Sequence, residues 1–413
     1  MRKRSTFAGV AAILTMATLA MAPGPALADS GPDKADYKRV GYFTQWGIYG
    51  RQYFVKNLDT SGQAANLTHV NYAFGNVDAT GRCASADPWA DWQRPFPASE
   101  SVDGVADEPG QALAGNFNQL RKLKLKYPEL KVLISLGGWT LSKNFSDAVL
   151  TPGSRRALVR SCIETFLSQG VFDGFDLDWE WPGSEGNTGN VVRPEDKRNF
   201  TLLLKEFRKQ LGDGYQLTAF LPASTAKIDA GFEVEKIFKY LDFATVQGYD
   251  LHGTWESVTN HQSALFKPAG QPVQPDFSVS DTLTAWTDRG APARGLVVGI
   301  PYYGQGWTGV TNANQGLFQP ATGPAAGTWG PGTDDYKVLA TLPSNGFTVY
   351  RDVQAGHAWL FDGTTFWTFD DPLVITQKTM YIRQHGYGGT MVWSLDGDDA
   401  NATLTKTINL TLN

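Results

Sequence analysis

Three carboxylic acids occupy alternate positions of one short, otherwise apolar stretch: Asp176, Asp178 and Glu180. In a β-strand the side chains at alternate positions point to the same face, so the three carboxyl groups would lie in a line. Carboxylates this close repel one another in a dry cavity, and their pKa values must therefore separate. One acid then stays protonated while a neighbour stays ionised, which is the division of roles that acid–base cleavage of a glycosidic bond requires.

A solvated acidic face or a metal site would fit the surroundings of this strand less well. A solvated face is hard to reconcile with the flanking aromatic residues Phe175, Trp179 and Trp181. A metal site would call for histidine or more carboxylates nearby, and the chain has only five His. We therefore predict acid–base catalysis that uses neither a metal nor a cofactor.

The elements that position these acids follow an alternating pattern of strands and helices. Helical stripes separate the strands, as where Val159, Cys162, Ile163 and Phe166 recur on one face. Eight strands alternating with helices predict an α/β fold, the closed (β/α)8 TIM barrel, whose active site lies at the carboxyl ends of the strands. The predicted strands span residues 40–45, 68–74, 131–136, 174–178, 216–221, 243–247, 295–300 and 389–393.

Two connections are longer than a plain barrel unit requires. Roughly ninety residues separate the seventh and eighth strands, too many for a connection without its own structure. We predict a small α+β subdomain inserted at about residues 307–375, with strands at 348–351 and 365–369. Residues 75–109 form the second long connection. Both follow strand ends, so we expect them to border the active site, the larger one as a wall of a cleft.

The amino terminus predicts export. Basic residues at positions 2–4 precede an apolar run at 7–22 and a small-residue triplet at 26–28, which is the order of a secretory signal peptide. We expect residues 1–28 to be removed, residues 29–38 to be a flexible terminus, and residues 39–413 to form the catalytic domain of a secreted, extracellular protein. No later segment is apolar for long enough to span a bilayer.

Charge and residue usage restrict the partners further. Removal of the leader leaves 33 basic and 41 acidic residues, a net charge near −8 that argues against nucleic acids and anionic membranes. The 13 Trp exceed what a core usually needs and suit stacking on sugars. We expect a monomer, because no coiled-coil or exposed-strand pattern is present. Cys162 falls on an apolar helix face, which favours a buried free thiol, with a disulfide to Cys83 as the alternative outside the cell.

Several motifs in chain order resemble one enzyme family. Residues 173–180 (DGFDLDWE) resemble the signature of glycoside hydrolase family 18, the retaining chitinases. The resemblance covers nearly all of the chain after the leader. One departure is Gln247, where family members often have Met, at a position expected to line the acetamido pocket. The further matches are residues 135–139 (SLGGW), 249–250 (YD), 299–304 (GIPYYG), 369–372 (FDDP) and 388–393 (GGTMVW).

The resemblance implies hydrolysis of chitin with retention, in which the acetamido group of the substrate is the nucleophile. It makes Glu180 the proton donor, and Asp178 the group that holds the acetamido N–H and stabilises the oxazolinium ion. Asp176 would share a proton with Asp178 and release it as Asp178 turns toward the substrate, and Tyr249 would align the acetamido carbonyl. Trp393 would form the floor beneath the sugar. The other substrate-binding positions are Asp250, Trp139, Tyr42, Phe74, Gln247, Tyr302 and Trp181.

Two alternatives to a secreted chitinase acting on chitin and N-acetylglucosamine oligosaccharides stay open. An endo-β-N-acetylglucosaminidase acting on glycoproteins would use the same acids. A chitin-binding lectin would keep the barrel but lose the proton donor, and Glu180 is present in this chain.

Weaker candidates for flanking sugar subsites are Trp255, Trp307 and Trp367.

Overall fold

The structure, a computed structural model, describes residues 37–273 and 277–412. The predicted signal peptide and almost all of the predicted flexible terminus lie outside these residues. Within them the strands are β1 (Lys38–Thr44), β2 (His69–Val77), β3 (Cys83–Ser85), β4 (Lys131–Gly137), β5 (Gly174–Asp178), β6 (Gln216–Leu221), β7 (Phe243–Val246), β8 (Leu296–Pro301), β9 (Tyr303–Thr308), β10 (Gly323–Pro324), β11 (Thr333–Asp335), β12 (Thr348–Asp352), β13 (His357–Phe361), β14 (Phe366–Phe369) and β15 (Gly389–Trp393).

The helices follow the strands of the barrel in turn. The helix Asp196–Leu211 (α5) buries its apolar stripe, which includes Phe207, against the barrel. The α-helices of the described residues are α1 (Val55–Thr60), α2 (Gly115–Lys126), α3 (Phe145–Ala148), α4 (Pro152–Phe166), α5 (Asp196–Leu211), α6 (Thr225–Gly231), α7 (Val234–Ile237), α8 (Val279–Asp288), α9 (Tyr336–Leu339), α10 (Pro372–His385) and α11 (Thr403–Leu412).

The parallel strands close into a ring. Their order is β1-β15-β8-β7-β6-β5-β4-β2, and β1 also pairs with β2, so the sheet has no open edge at this seam. The predicted (β/α)8 barrel is confirmed, and all eight predicted strands occur, with ends that differ by no more than three residues. Strand β3 adds to this sheet as an antiparallel partner of β2.

Strand β5 shows how the acid-bearing segment is held in the ring. Its outward residues pack on helices, with Phe175 against Phe207 at 5.1 Å between ring centroids. Gly174 has φ 156°, and a Cβ there would lie 1.9 Å from the carbonyl oxygen of Gln216. Only glycine therefore lets β5 approach β6 closely enough to start the strand at this register.

A second sheet follows the carboxyl end of β8. Strands β9 to β14 form an antiparallel sheet in the order β10-β9-β14-β13-β12, with β11 paired to β9. This sheet begins at Tyr303, earlier than the predicted start at 307, and its last strand ends at Phe369 before α10 returns to the barrel. It has an apolar core of its own, built around Trp307, Trp359 and Phe366.

A buried ion pair ties the end of this inserted sheet to the barrel. Lys378 of α10 pairs with Asp370, and both side chains are fully buried. Ser263, from the connection between β7 and α8, donates a hydrogen bond to Asp370 at 2.6 Å. The pair and this hydrogen bond therefore join the end of the inserted sheet and the start of α10 to the connection after β7, about 107 residues earlier in the chain.

The expectation of a free thiol at Cys162 was wrong, because Cys83 and Cys162 form a disulfide. Cys162 is buried on α4 as its apolar face requires. Cys83 lies on β3, which turns back antiparallel to β2 and comes to lie against α4. The sequence pattern predicts the burial of Cys162. It does not predict that β3 packs against α4, because that contact depends on tertiary structure.

We predict that the double variant Cys83→Ser/Cys162→Ser is less stable by about 2–4 kcal/mol in free energy of unfolding. The bond closes a segment of 79 residues and so restricts the unfolded chain. Thermal melting should show a lower Tm, and a reducing agent should lower the Tm of the native protein to that of the variant. Equal melting of both oxidised proteins would contradict the prediction.

The buried ion pair gives a second prediction. Asp370→Asn should lower the free energy of unfolding by about 3–5 kcal/mol, because Lys378 then stays buried without a charge partner. The matched control Asp370→Leu/Lys378→Met removes both charges and should be far less destabilised than Asp370→Asn. Denaturant titration of the two variants checks this, and a double variant as unstable as Asp370→Asn would refute it.

Candidate active site

A cleft of about 840 Å³ lies at the carboxyl ends of the barrel strands. It brings together ten residues from the predicted site, which come from the ends of six different strands. The lining comprises Tyr42, Trp46, Phe74, Trp139, Thr140, Asp178, Glu180, Trp181, Phe220, Lys227, Gln247, Tyr249, Asp250, Trp255, Tyr303 and Trp393.

Asp176 lies beneath this cleft, fully buried inside the barrel. Its carboxyl group accepts hydrogen bonds from Tyr42 Oη at 2.7 Å, Ser135 Oγ at 2.7 Å and Thr218 Oγ1 at 2.6 Å. These donors come from three other strands, β1, β4 and β6. Burial raises the pKa of Asp176, and the three hydrogen bonds oppose that rise by favouring the ionised form.

Asp178 and Glu180 continue the line of acids toward the cleft. Asp178 is 4% exposed, and its Oδ1 has no hydrogen-bond partner among the described residues. Burial, together with the charges of Glu180 and Asp176, raises the pKa of Asp178 well above its usual value. Burial also raises the pKa of Glu180 to about 8, and Asp250 adds to this rise while Lys227 opposes it. These surroundings therefore favour the protonated form of the carboxyl group that reaches the cleft.

The backbone around Glu180 is fixed by the turn after β4. The Glu180 N–H donates to Ser142 Oγ at 2.9 Å, and Asn190 Nδ2 donates to the Glu180 carbonyl at 2.9 Å. Gly137 has φ 109°, and a Cβ there would lie 2.3 Å from the carbonyl oxygen of Asp178. A larger residue at Gly137 would push β5 away, which explains this glycine in the motif at residues 135–139.

The segment after β7 supplies a hydroxyl, a carboxyl and an amide group. Tyr249 is buried in the cleft wall with its Oη 3.8 Å from the Met391 sulfur. Asp250 accepts a hydrogen bond from Gln305 Nε2 at 2.9 Å, so a strand of the inserted sheet helps to orient it. Gln247 lines the cleft as expected, and its Oε1 accepts from the Ala223 N–H at 3.3 Å.

Aromatic rings form the floor and rim of the cleft. Trp393 stacks on Phe74 at 5.7 Å between centroids and an angle of 17°. Trp46 lies 6.3 Å from Trp393 and is partly exposed. Trp139 and Trp255 stand at the rim and are 49% and 64% exposed. Flat apolar faces open to solvent inside a cleft suit the CH faces of a pyranose sugar.

Several lining residues were missed by sequence reasoning. The most consequential is Lys227 on α6, whose Nζ lies 5.0 Å from the centre of the Trp181 ring. Phe220, at the end of β6, stacks beside Trp181 at 5.6 Å. Both lie at or just after the carboxyl end of β6, which faces the site. That position alone could have identified them as candidate lining residues. The others are Trp46, Thr140 and Tyr303.

Tyr302, a predicted substrate-binding residue, is not among the residues that line the cleft. Tyr302 is fully buried and its hydroxyl lies 3.1 Å from Thr405 Oγ1, away from the acids. Tyr303, its neighbour, lines the cleft instead, because β9 begins there and turns the side chain to the other face. The weaker candidates Trp307 and Trp367 are buried within the inserted sheet and are not part of the cleft lining.

A closed (β/α)8 barrel with a line of inward acids that ends at its mouth is the arrangement in which barrel enzymes carry out acid–base chemistry. The profile of the glycosyl hydrolases family 18 matches residues 38–398. This match covers most of the chain, and the chain belongs to that family.

Individual relatives agree with this assignment. The chain is 42% identical to Chitinase C of Streptomyces lividans over 88% of its length, and 41% identical to Chitinase 63 of Streptomyces plicatus over 92%. It spans only 58% and 61% of the length of those two proteins. The catalytic domain of psychrophilic chitinase B from Arthrobacter TAD20 superposes with a TM-score of 0.87 at 42% identity, covering 92% of this chain and 96% of that domain.

No helix among the described residues is long and apolar enough to cross a membrane.

Proposed function

We propose that this protein is a chitinase that hydrolyses β-1,4 bonds between N-acetylglucosamine units, with retention of anomeric configuration. The observation that carries the proposal is the acid line of β5, in which Glu180 lines the cleft beside the buried Asp178, with Asp176 buried beneath them. Chitin is the proposed substrate because the similar proteins are named as chitinases. Export through the predicted leader and action as a monomer on extracellular chitin are parts of the same proposal.

In the first step Glu180 gives its proton to the bridging oxygen, and the bond from that oxygen to the anomeric carbon breaks. The acetamido oxygen of the same sugar forms the new bond to that carbon, which produces an oxazolinium ion. Tyr249 donates a hydrogen bond to the acetamido carbonyl, and Asp178 accepts one from the acetamido N–H. Since nucleophile and electrophile belong to one molecule, little entropy is lost in bringing them together.

In the second step the ionised Glu180 takes a proton from water while the water oxygen attacks the anomeric carbon. The ring of the oxazolinium ion opens, the acetamido group is restored, and Glu180 is protonated again. Asp178 must be a carboxylate to stabilise the cation, although its surroundings favour the protonated form. Asp176 lies next along the strand, so one proton shared by Asp176 and Asp178 meets this demand.

The cleft fits a neutral polymer. Its floor is the stacked pair Trp393 and Phe74, and its rim carries the exposed rings of Trp139 and Trp255. The inserted sheet contributes Tyr303 to one wall and Gln305 to the support of Asp250. Rings at both floor and rim suit a chain of several sugars.

We predict that Glu180→Gln lowers kcat on soluble N-acetylglucosamine oligomers by at least ~100-fold, as loss of a general acid does. NMR of the native reaction should show fresh β-anomer at the new reducing ends. The control Glu185→Gln changes an exposed glutamate outside the cleft lining and should act like the native protein.

Other outcomes of this experiment point elsewhere. Fresh α-anomer would overturn the retaining mechanism. Binding without cleavage by the native protein would favour a lectin. Cleavage of a glycoprotein glycan with no cleavage of chitin oligomers would favour an endo-β-N-acetylglucosaminidase.

The pH profile gives a further prediction. The protonated form of Glu180 is the active one, so kcat/KM should fall as pH rises through about 8. Asp250→Asn removes a negative charge that raises the pKa of Glu180, so this alkaline limb should move to lower pH. Lys227→Met removes a positive charge that lowers this pKa, so the limb should move to higher pH. Shifts of the same sign in both variants would contradict this assignment.

A further inference from the structure

Lys227 places a positive charge inside a cleft for a neutral substrate. It lies in the first turn of α6, and it is the only cationic side chain lining the cleft in the part of the chain that the structure describes. Its Nζ stands 5.0 Å from the centre of the Trp181 ring, and no carboxylate of the described residues is within ion-pair distance of it. Lys227 as a whole is half-buried, so water screens its charge less than it would that of a surface lysine.

The strand order tells which side of the reacting bond Lys227 faces. Trp393 ends β15 and Glu180 follows β5, and these strands lie opposite each other in the ring. If Trp393 carries the sugar whose bond is cleaved, the bridging oxygen points across the ring toward Glu180. The leaving sugar then lies beyond Glu180, beside Trp181, Phe220 and Lys227. The connection after β6 therefore borders the leaving sugar.

The charge of Lys227 distinguishes two sugars that differ by one acetyl group. N-acetylglucosamine carries a neutral acetamido group, whereas glucosamine carries an ammonium group below the pKa of its amine. Two cations a few ångströms apart in a cleft walled by protein repel strongly. Glu180 is protonated when the enzyme is ready to act, and therefore does not neutralise Lys227.

We propose that Lys227 selects an N-acetylated unit on the leaving-group side of the cleaved bond by repelling the ammonium group of glucosamine. The inference rests on the proposed chitinase function. It makes Lys227 a specificity-determining residue for partially deacetylated chitin. The acetamido group that takes part in the reaction belongs to the other sugar, so the two product ends report on two different parts of the enzyme.

The test is hydrolysis of partially N-acetylated chitosan, with about half of its units acetylated, at a pH below the pKa of the sugar amine. The native protein and Lys227→Gln are compared, and NMR identifies the sugars at the new non-reducing and new reducing ends. Lys227→Gln should raise the glucosamine fraction at new non-reducing ends by roughly 3- to 10-fold, the effect expected for one partly screened charge pair.

Two control variants separate charge from shape. Lys227→Arg keeps the positive charge and should keep the native distribution of ends. Lys205→Gln makes the same charge change on the exposed side of α5, outside the cleft lining, and should also leave the distribution unchanged. Added salt should weaken the discrimination of the native protein, since screening acts on charge repulsion.

The new reducing ends test the proposed chitinase mechanism, whereas the new non-reducing ends test the role of Lys227. New reducing ends should be N-acetylglucosamine in every variant, and glucosamine there would refute substrate-assisted catalysis without bearing on Lys227. An unchanged non-reducing-end distribution in a folded Lys227→Gln variant, checked by its Tm, would overturn the role of Lys227. An equal gain in Lys227→Arg would overturn it as well.

Discussion

The architecture of this protein depends on keeping three carboxyl groups together inside a barrel. Burying one ionised carboxylate is costly, and burying several in a row adds mutual repulsion. At Asp176 this cost is offset by hydrogen bonds from three hydroxyl groups, which come from β1, β4 and β6. Those donors meet at one point only because the ring is closed. The buried acids therefore depend on closure of the barrel for their hydrogen bonds.

The repulsion that remains along β5 is useful. Asp178 is buried with two acids as neighbours, and the pKa of Glu180 is influenced by the charges of Asp250 and Lys227. The line of acids therefore runs from a carboxyl group with three hydrogen-bond donors at the bottom to one with a raised pKa at the mouth. Among the residues that line the cleft, Asp178 Oδ1 and Trp181 Nε1 are buried and find no hydrogen-bond partner among the described residues. A polar ligand that forms hydrogen bonds with such atoms removes the free-energy penalty of leaving them unpaired, and so gains binding free energy.

The inserted sheet extends this arrangement without disturbing the ring. It leaves the barrel after β8 and returns through α10, and its base is held by the buried pair Asp370 and Lys378. From that base β9 presents Tyr303 to the cleft and Gln305 to Asp250. A rigid anchor at the base therefore supports residues that orient the site at the other end.

Much of the site was predictable because its signals are local. The alternation of Asp176, Asp178 and Glu180 sets their common face wherever the strand lies, and the position of Trp393 at the end of the last strand sets its place at the mouth. Eight strand patterns separated by helical ones were enough to predict the barrel. These features depend on backbone periodicity, which is written into consecutive residues.

Other features exist only because distant segments meet. Neither Cys83 nor β3 carries a pattern that places it against α4, and a shift of one residue decided between Tyr302 and Tyr303 at the start of β9. Lys227 looks like an ordinary helix lysine until α6 sets it over Trp181. The sequence by itself determined the acid line and the eight strands of the barrel, since these follow from local spacing. The tertiary structure alone decided the disulfide, the tyrosine that faces the site and the charge beside Glu180, because each depends on the packing of elements far apart in the chain.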